Sequence, residues 1–286
     1  MQRRFLQIEL RHGMAAAILA LYLASTAVAQ TQTHYVTLTY LKTLPGKAAE
    51  FRKFAETDMT KMGQIGIDEG VLDAYYVLRL TAPYVGGSDY DYVTVLWFKK
   101  APPLSPLDMK QWDARAKKAG YASYQLYLDR RDSLAKNVKS AWRNSTARLG
   151  EVHSGNYIRT VSYQVDVEYR PVMARFLQEY AAPLAQSQMR DGARTVGWGV
   201  SRPAAVTGSN DEAGYSFAVS SVFKDSDALM LGPITLTEEA FNKALPGKSY
   251  ATYMNELNLL NQHRKAVSTR IQEVVSLAGA PPMIKP

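Results

Sequence analysis

The chain has 286 residues, a formal net charge of +8 and 47% hydrophobic residues, enough for a substantial core in one large or two small domains. It has no cysteine, which excludes a disulfide framework, a thiolate metal site, a cysteine nucleophile and a lipid-acceptor thiol. Lys and Arg are scattered among Asp and Glu without a run, so the charge reads as solvated surface and no nucleic-acid partner is expected.

At the N-terminus, Arg3, Arg4 and Arg11 precede an apolar run from Met14 to Val28, and Ala27-Val28-Ala29 forms a small-residue cleavage site. Residues 1–29 therefore read as a signal peptide, and the mature chain as periplasmic or secreted. Nothing beyond the leader is long and apolar enough to hold it to a membrane.

After the leader, Val36 to Lys42 is rich in β-branched and aromatic residues and predicts a first strand. Ala48, Phe51, Phe54, Ala55 and Met62 fall on one helical face behind Pro45. Val71 to Leu80 and Tyr90 to Lys99 predict two strands joined by the turn formers Gly86-Gly87-Ser88-Asp89. Ser105-Pro106-Leu107-Asp108 has the cap-and-acid spacing of a second helix start. Asn137 to Leu149 alternates as a strand, with helix as the other possibility.

The same order then recurs. Ile158 to Val165 predicts a strand, and Pro171 suits the first turn of a helix carrying Met173, Phe176, Leu177 and Tyr180, which Pro183 is expected to kink or end. Ala193 to Ser201 and Tyr215 to Lys224 predict strands flanking Gly208-Ser209-Asn210-Asp211. Thr235-Leu236-Thr237-Glu238 marks a helix start, and Ala266 to Leu277 closes the series.

The recurrence is a duplication. Tyr35, Phe51 and Phe54 match Tyr157, Met173 and Phe176 at an offset of 122, Phe98-Lys99 matches Phe223-Lys224 at 125, and Tyr121-Ala122-Ser123-Tyr124 matches Tyr250-Ala251-Thr252-Tyr253 at 129. The offset changes only in loops, where insertions are tolerated. The division is residues 30–150 for the first repeat, 151–280 for the second and 281–286 for a tail.

Each repeat is β-α-β-β-α-β, the ferredoxin-like split unit of an α+β protein, whose helices cover one sheet face. The other face is not polar: Val36, Leu38 and Tyr40 oppose Tyr35, Thr37, Thr39 and Leu41, and Val93, Val95 and Trp97 oppose Tyr92, Leu96 and Phe98. Both faces should be buried, and the sheet of the other repeat is the simplest cover.

With this pattern and the Pro45-Gly46-Lys47 helix opening between Tyr40 and Phe54, the chain resembles the dimeric α/β-barrel superfamily, which includes antibiotic-biosynthesis-monooxygenase and NIPSNAP-like proteins. The resemblance spans Tyr35 to about Leu277 and is one of architecture. It implies an intramolecular, pseudo-dimeric barrel, so a monomer is compatible with it. Relatives include cofactor-free oxygenases, haem enzymes and proteins without known activity, so the fold leaves function open.

No catalytic motif is present. Gly197-Trp198-Gly199 lies in a strand and lacks the third glycine of a dinucleotide fingerprint, and its glycines read as room for Trp198. His34, His153 and His263 are candidates for a base or a haem ligand, with surface positions as the plainer reading. Asp89, Asp91, Asp211 and Glu212 suit turns better than a metal. Neither metal nor cofactor is expected.

The candidate ligand site consists of Arg159, which stands where the first repeat has Thr37 and would need an anion if buried, and the aromatic residues Tyr40, Tyr75, Trp97, Tyr163 and Trp198. The functional expectation is an exported protein binding a small apolar or anionic molecule in a barrel. A cofactor-independent monooxygenase or haem enzyme, and a non-catalytic surface protein, are the other classes.

Overall fold

The computed structural model describes residues 34–83, 89–99, 109–190, 194–204, 214–233 and 235–284; the signal segment, most of both hairpin loops and the Ser105 to Asp108 helix start lie outside them. The first repeat supplies β1 (His34–Thr43), β2 (Leu72–Pro83), β3 (Tyr92–Phe98) and β4 (Ala135–Gly150). The second supplies β5 (Tyr157–Val165), β6 (Thr195–Pro203), β7 (Phe217–Phe223) and β8 (Arg264–Gly279). Alternation of half-buried with buried side chains along β1 and β5 is what a strand with a covered face on each side requires.

Helix α1 is continuous through Ala48–Phe54, a π-turn at Ala55–Met59 and Thr60–Asp68. α2 (Met109–Ala119) and α3 (Tyr124–Asp132) complete the first repeat. In the second, α4 comprises Arg170–Phe176, a π-turn at Leu177–Ala181 and Ala182–Arg190, followed by α5 (Ser226–Leu231), α6 (Glu238–Ala244) and α7 (Tyr250–His263). Pro183 does not end its helix. The π-turn before it recurs at the same place in α1, which has no proline there, so it belongs to the repeat and not to Pro183.

The cap of α6 is Thr237, whose side chain accepts from the Ala240 N–H, and not Thr235. Ser123 and Ser249 cap α3 and α7 in the same way, which fixes where the matched Tyr-Ala-Ser/Thr-Tyr segments turn helical.

The strands close into one antiparallel barrel in the order β1-β3-β2-β8-β5-β7-β6-β4. Within each repeat the order is ferredoxin-like, and two seams join the repeats. β4 pairs first with its own β1 through Ala135 to Ser145, then with β6 of the other repeat through Arg143 to Gly150. β8 repeats this, pairing with β5 from Arg264 and with β2 up to Gly279. This double duty is why each of these strands is 16 residues long. Closure leaves no sheet edge unpaired, which removes the aggregation liability of two open four-stranded sheets.

Three apolar clusters follow from this geometry. On the outer face of the first repeat, Phe51, Phe54, Met59 and Met62 of α1 meet Tyr75, Val77 and Tyr92. On that of the second, Met173, Phe176 and Tyr180 of α4 and Phe241 of α6 meet Trp198, Val200 and Phe217. Inside the barrel lie Val36, Leu38, Tyr40, Tyr76, Leu78, Val93, Val95, Ile158, Val222 and Val274. Each fully buried phenylalanine contributes about 1.5–3 kcal/mol.

Candidate functional site

Directly opposed residues in a sheet share a face, so the register sorts the barrel wall into inside and outside. Val36 and Trp97 are opposed, as are Tyr76 and Val95, Thr160 and Ser220, Gly199 and Ser220, and Gly199 and Arg148. All of these border a cavity of about 130 Å³ inside the barrel. An apolar cavity of about 150 Å³ in another protein holds one benzene molecule, so this one is of single-ring size.

The cavity lies against β6, and the reason is local. At the inner positions where β2 carries Ala74 and Tyr76, β6 carries Gly197 and Gly199. Neither glycine has a positive φ, so backbone conformation does not demand them. Gly199 leaves unfilled the interior volume that the Tyr76 ring fills on the other side, whereas a Cβ at Gly197 would press on Val222. The expectation that they make room for Trp198 is corrected here: Trp198 packs on the helix side, and the room is inside.

Two arginines line the cavity, both from β4. Arg143 faces inward opposite Val36, donates to the Tyr40 hydroxyl at 3.3 Å and lies 5.4 Å from the centre of the Tyr215 ring. Arg148 donates to the Pro281 carbonyl at 2.6 Å and to the Tyr76 hydroxyl at 3.4 Å, and stacks 5.6 Å from the Trp97 ring. They are five positions apart in sequence, an odd step that would place them on opposite faces. A bulge between Ser145 and Ala147 restores both to the inside.

Burial pulls the Arg148 guanidinium below its ordinary pKa, against weaker support from Tyr76 and Glu151. The Glu151 side chain is 81% exposed and paired with His153, so it compensates Arg148 poorly. The remaining polar lining is Ser145, Thr160, Ser201, Ser220 and Gln272, with Thr160 and Ser220 hydroxyls joined at 2.9 Å. The Trp97 indole N–H is buried and meets no acceptor among the described residues. Among the described lining residues, the Arg148 guanidinium and the Trp97 indole N–H meet no carboxylate.

Of the six residues nominated from sequence, Trp97 lines the cavity from the inner face and Trp198 borders it through the β6 wall. Tyr40 faces inward one layer away, edge-on to Tyr90 at 4.7 Å. Tyr75 faces α1 and packs over Gly63. Arg159 and Tyr163 stand outside because Ile158, Thr160 and Ser162 take the inner positions of β5. The Arg159 guanidinium lies 5.6 Å from the Phe223 ring centre, which gives it an aromatic neighbour in place of an enclosed anion.

The three histidines and Asp91 lie apart from the cavity, and Asp211 and Glu212 are outside the described residues. His34 is buried at the start of β1, 3.9 Å from Asp73. Its repeat equivalent is Asn156, and the His153 side chain is 68% exposed. His263 stacks on Tyr169 at 3.5 Å and pairs with Asp166 at 3.0 Å. Asp91 bonds Lys42 and Thr43; although burial opposes ionisation, those bonds hold its carboxyl below the usual range. No histidine lines the cavity among the described residues, and a single-ring space does not admit a porphyrin, so the residues here do not fit haem.

Among solved structures, the chain is similar to a proposed monooxygenase from Lactobacillus acidophilus, at 11% identity and TM-score 0.50, over 87% of this chain and 98% of that one. It is similar to a proposed monooxygenase from Fusobacterium nucleatum, at 10% identity and TM-score 0.50, over 86% and 94%. An anthrone oxidase-like protein matches at 13% identity and TM-score 0.50, over 87% and 94%. The chain has the dimeric α/β-barrel fold in tandem form. No family model and no curated protein matches the sequence, so the likeness to other dimeric α/β barrels is one of fold.

Proposed function

We propose that this tandem dimeric α/β barrel is a binding protein for a small organic anion held in the barrel interior, acting outside the cytoplasmic membrane after loss of residues 1–29. The observation that carries the reading is Arg148, a buried cation lining the cavity whose direct bonds go to neutral oxygens, beside the unmatched indole N–H of Trp97. Taking a guanidinium out of water is costly, and an anion that shares its donors offsets that cost.

The descriptions of the similar structures as monooxygenases and an oxidase-like protein suggest catalysis on the same occupant. The lining among the described residues offers arginines, hydroxyls, an amide and an indole, with no carboxylate or imidazole to take a proton. Binding is therefore the better-supported reading.

The test is thermal melting with acetate, benzoate and inorganic phosphate. An anion at about 100 times its Kd adds about 2.7 kcal/mol, which raises Tm by about 5–10 °C in a chain of this size. In Arg148→Met the rise should vanish while the unliganded Tm stays close to that of the parent, because a buried arginine is replaced by an apolar side chain of similar length. An unchanged rise in the variant, or no rise with any anion in the parent, would overturn the proposal.

A further inference from the structure

The two seams of the barrel are related by the duplication, and comparing them position by position shows where their interiors differ. At one seam Tyr76 is opposed by Leu277 on β8 and by Val95 on β3, and Ala74 by Trp97. At the other, Gly199 is opposed by Arg148 on β4 and by Ser220 on β7, and Gly197 by Val222. The first seam is filled from within by a tyrosine ring. The second has lost that ring and gained a cation in place of leucine and a hydroxyl in place of valine. A phenol-sized void next to a guanidinium is what remains, and its volume of about 130 Å³ matches a single ring.

We infer that the occupant is a single-ring aromatic carboxylate whose ring lies over Gly199, where the other seam holds the Tyr76 side chain, with its carboxylate on Arg148. This rests on the reading of the interior as an anion site and names the ligand class. The planar guanidinium suits a carboxylate, which accepts two parallel N–H bonds. Val36, Leu38, Val95, Ile158 and Val222 suit the ring, and the free Trp97 N–H is a further donor on the same wall.

Gly199 is the residue that decides specificity. A Cβ there meets the Ala147 carbonyl oxygen at 3.2 Å, a contact relieved by a shift of a few tenths of an ångström, so a side chain at this position would project into the notch without breaking the strand.

Calorimetric titration of the full chain with benzoate, phenol, acetate and inorganic phosphate tests this. Benzoate should bind at least about tenfold more tightly than acetate, phosphate or phenol. Gly199→Leu should weaken benzoate by at least about tenfold more than it weakens acetate, because the ring loses its space while the Arg148 guanidinium remains. Circular dichroism and melting report whether that variant folds; if it does not, Gly199→Ala narrows the notch by one methyl and should weaken benzoate several-fold. Equal affinity for acetate and benzoate, or benzoate binding unaffected in a folded Gly199 variant, would overturn the ring placement while leaving the anion site standing. Phenol binding as tightly as benzoate would overturn the carboxylate. Failure of every anion in the parent would remove both this inference and the reading on which it rests.

Discussion

Gly150→Val is expected to lower the stability of the protein by about 3–5 kcal/mol, and Gly279→Val by a similar amount, from a left-handed backbone cost of about 1–2 kcal/mol plus overpacking. These glycines end β4 and β8 with φ of 74° and 66°, at equivalent places in the two seams. A Cβ on Gly150 would overlap the Val196 carbonyl oxygen, Met189 Sδ and the Gly197 Cα; one on Gly279 would overlap the Asp73 carbonyl oxygen and Ile67 Cδ1. The opposing atoms are largely backbone of the other repeat, which cannot move without parting the seam. Gly155→Ala is the control, since its φ is 85° but nothing lies within 4 Å, so it carries the conformational cost alone, about 1 kcal/mol. Urea unfolding at constant m-value measures the difference. Gly150→Val costing no more than Gly155→Ala would mean that the seam is not closed as described.

Above pH 10 the protein should unfold steeply, because its tyrosines resist ionisation. Burial pushes Tyr76 up from 10.0 to about 12, against the pull of Arg148, and burial raises Tyr75 and Tyr127 as well. In each the folded state favours the protonated phenol. The contribution to stability is therefore fully present below the unfolded value near 10 and is lost as pH climbs toward the folded value. Each unit costs about 1.4 kcal/mol per tyrosine, so Tyr76 alone removes about 3 kcal/mol by pH 12, and Tyr75 and Tyr127 act in the same direction. Tyrosinate absorbance should rise in one abrupt step that coincides with loss of circular dichroism, and Tyr76→Phe should move the step to higher pH. A smooth titration of all tyrosines near pH 10 in a folded chain would contradict the burial.

The strand and helix order of both repeats, and their meeting as a barrel, could be read from the chain because alternation, turn residues and self-similarity all report on local backbone. The inner face could not. Bulges at Tyr40/Leu41, Ser145/Ala147 and Val77/Leu78 shift the register, and each shift breaks the link between position parity and face. Parity alone therefore does not place Arg148 beside Arg143 on the inner face, while Arg159, a charged residue amid β-branched neighbours, looks buried in the sequence wherever it points. A usable signal is present in the alignment of the repeats: Tyr76 stands against Gly199 and Leu277 against Arg148, a loss of volume beside a gain of charge. Only the pairing of β4 with β6 brings those differences to one place.

The closure of one barrel by one chain is tested most directly with a cross-seam disulfide, for which the absence of native cysteine makes the chain suitable. Asn144 on β4 and Arg202 on β6 are opposed, at a separation a disulfide can span. In Asn144→Cys/Arg202→Cys, oxidation should give a bridge within single chains, running as a monomer on a non-reducing denaturing gel and melting above its reduced form. Disulfide-linked dimers, or thiols that stay free, would contradict it.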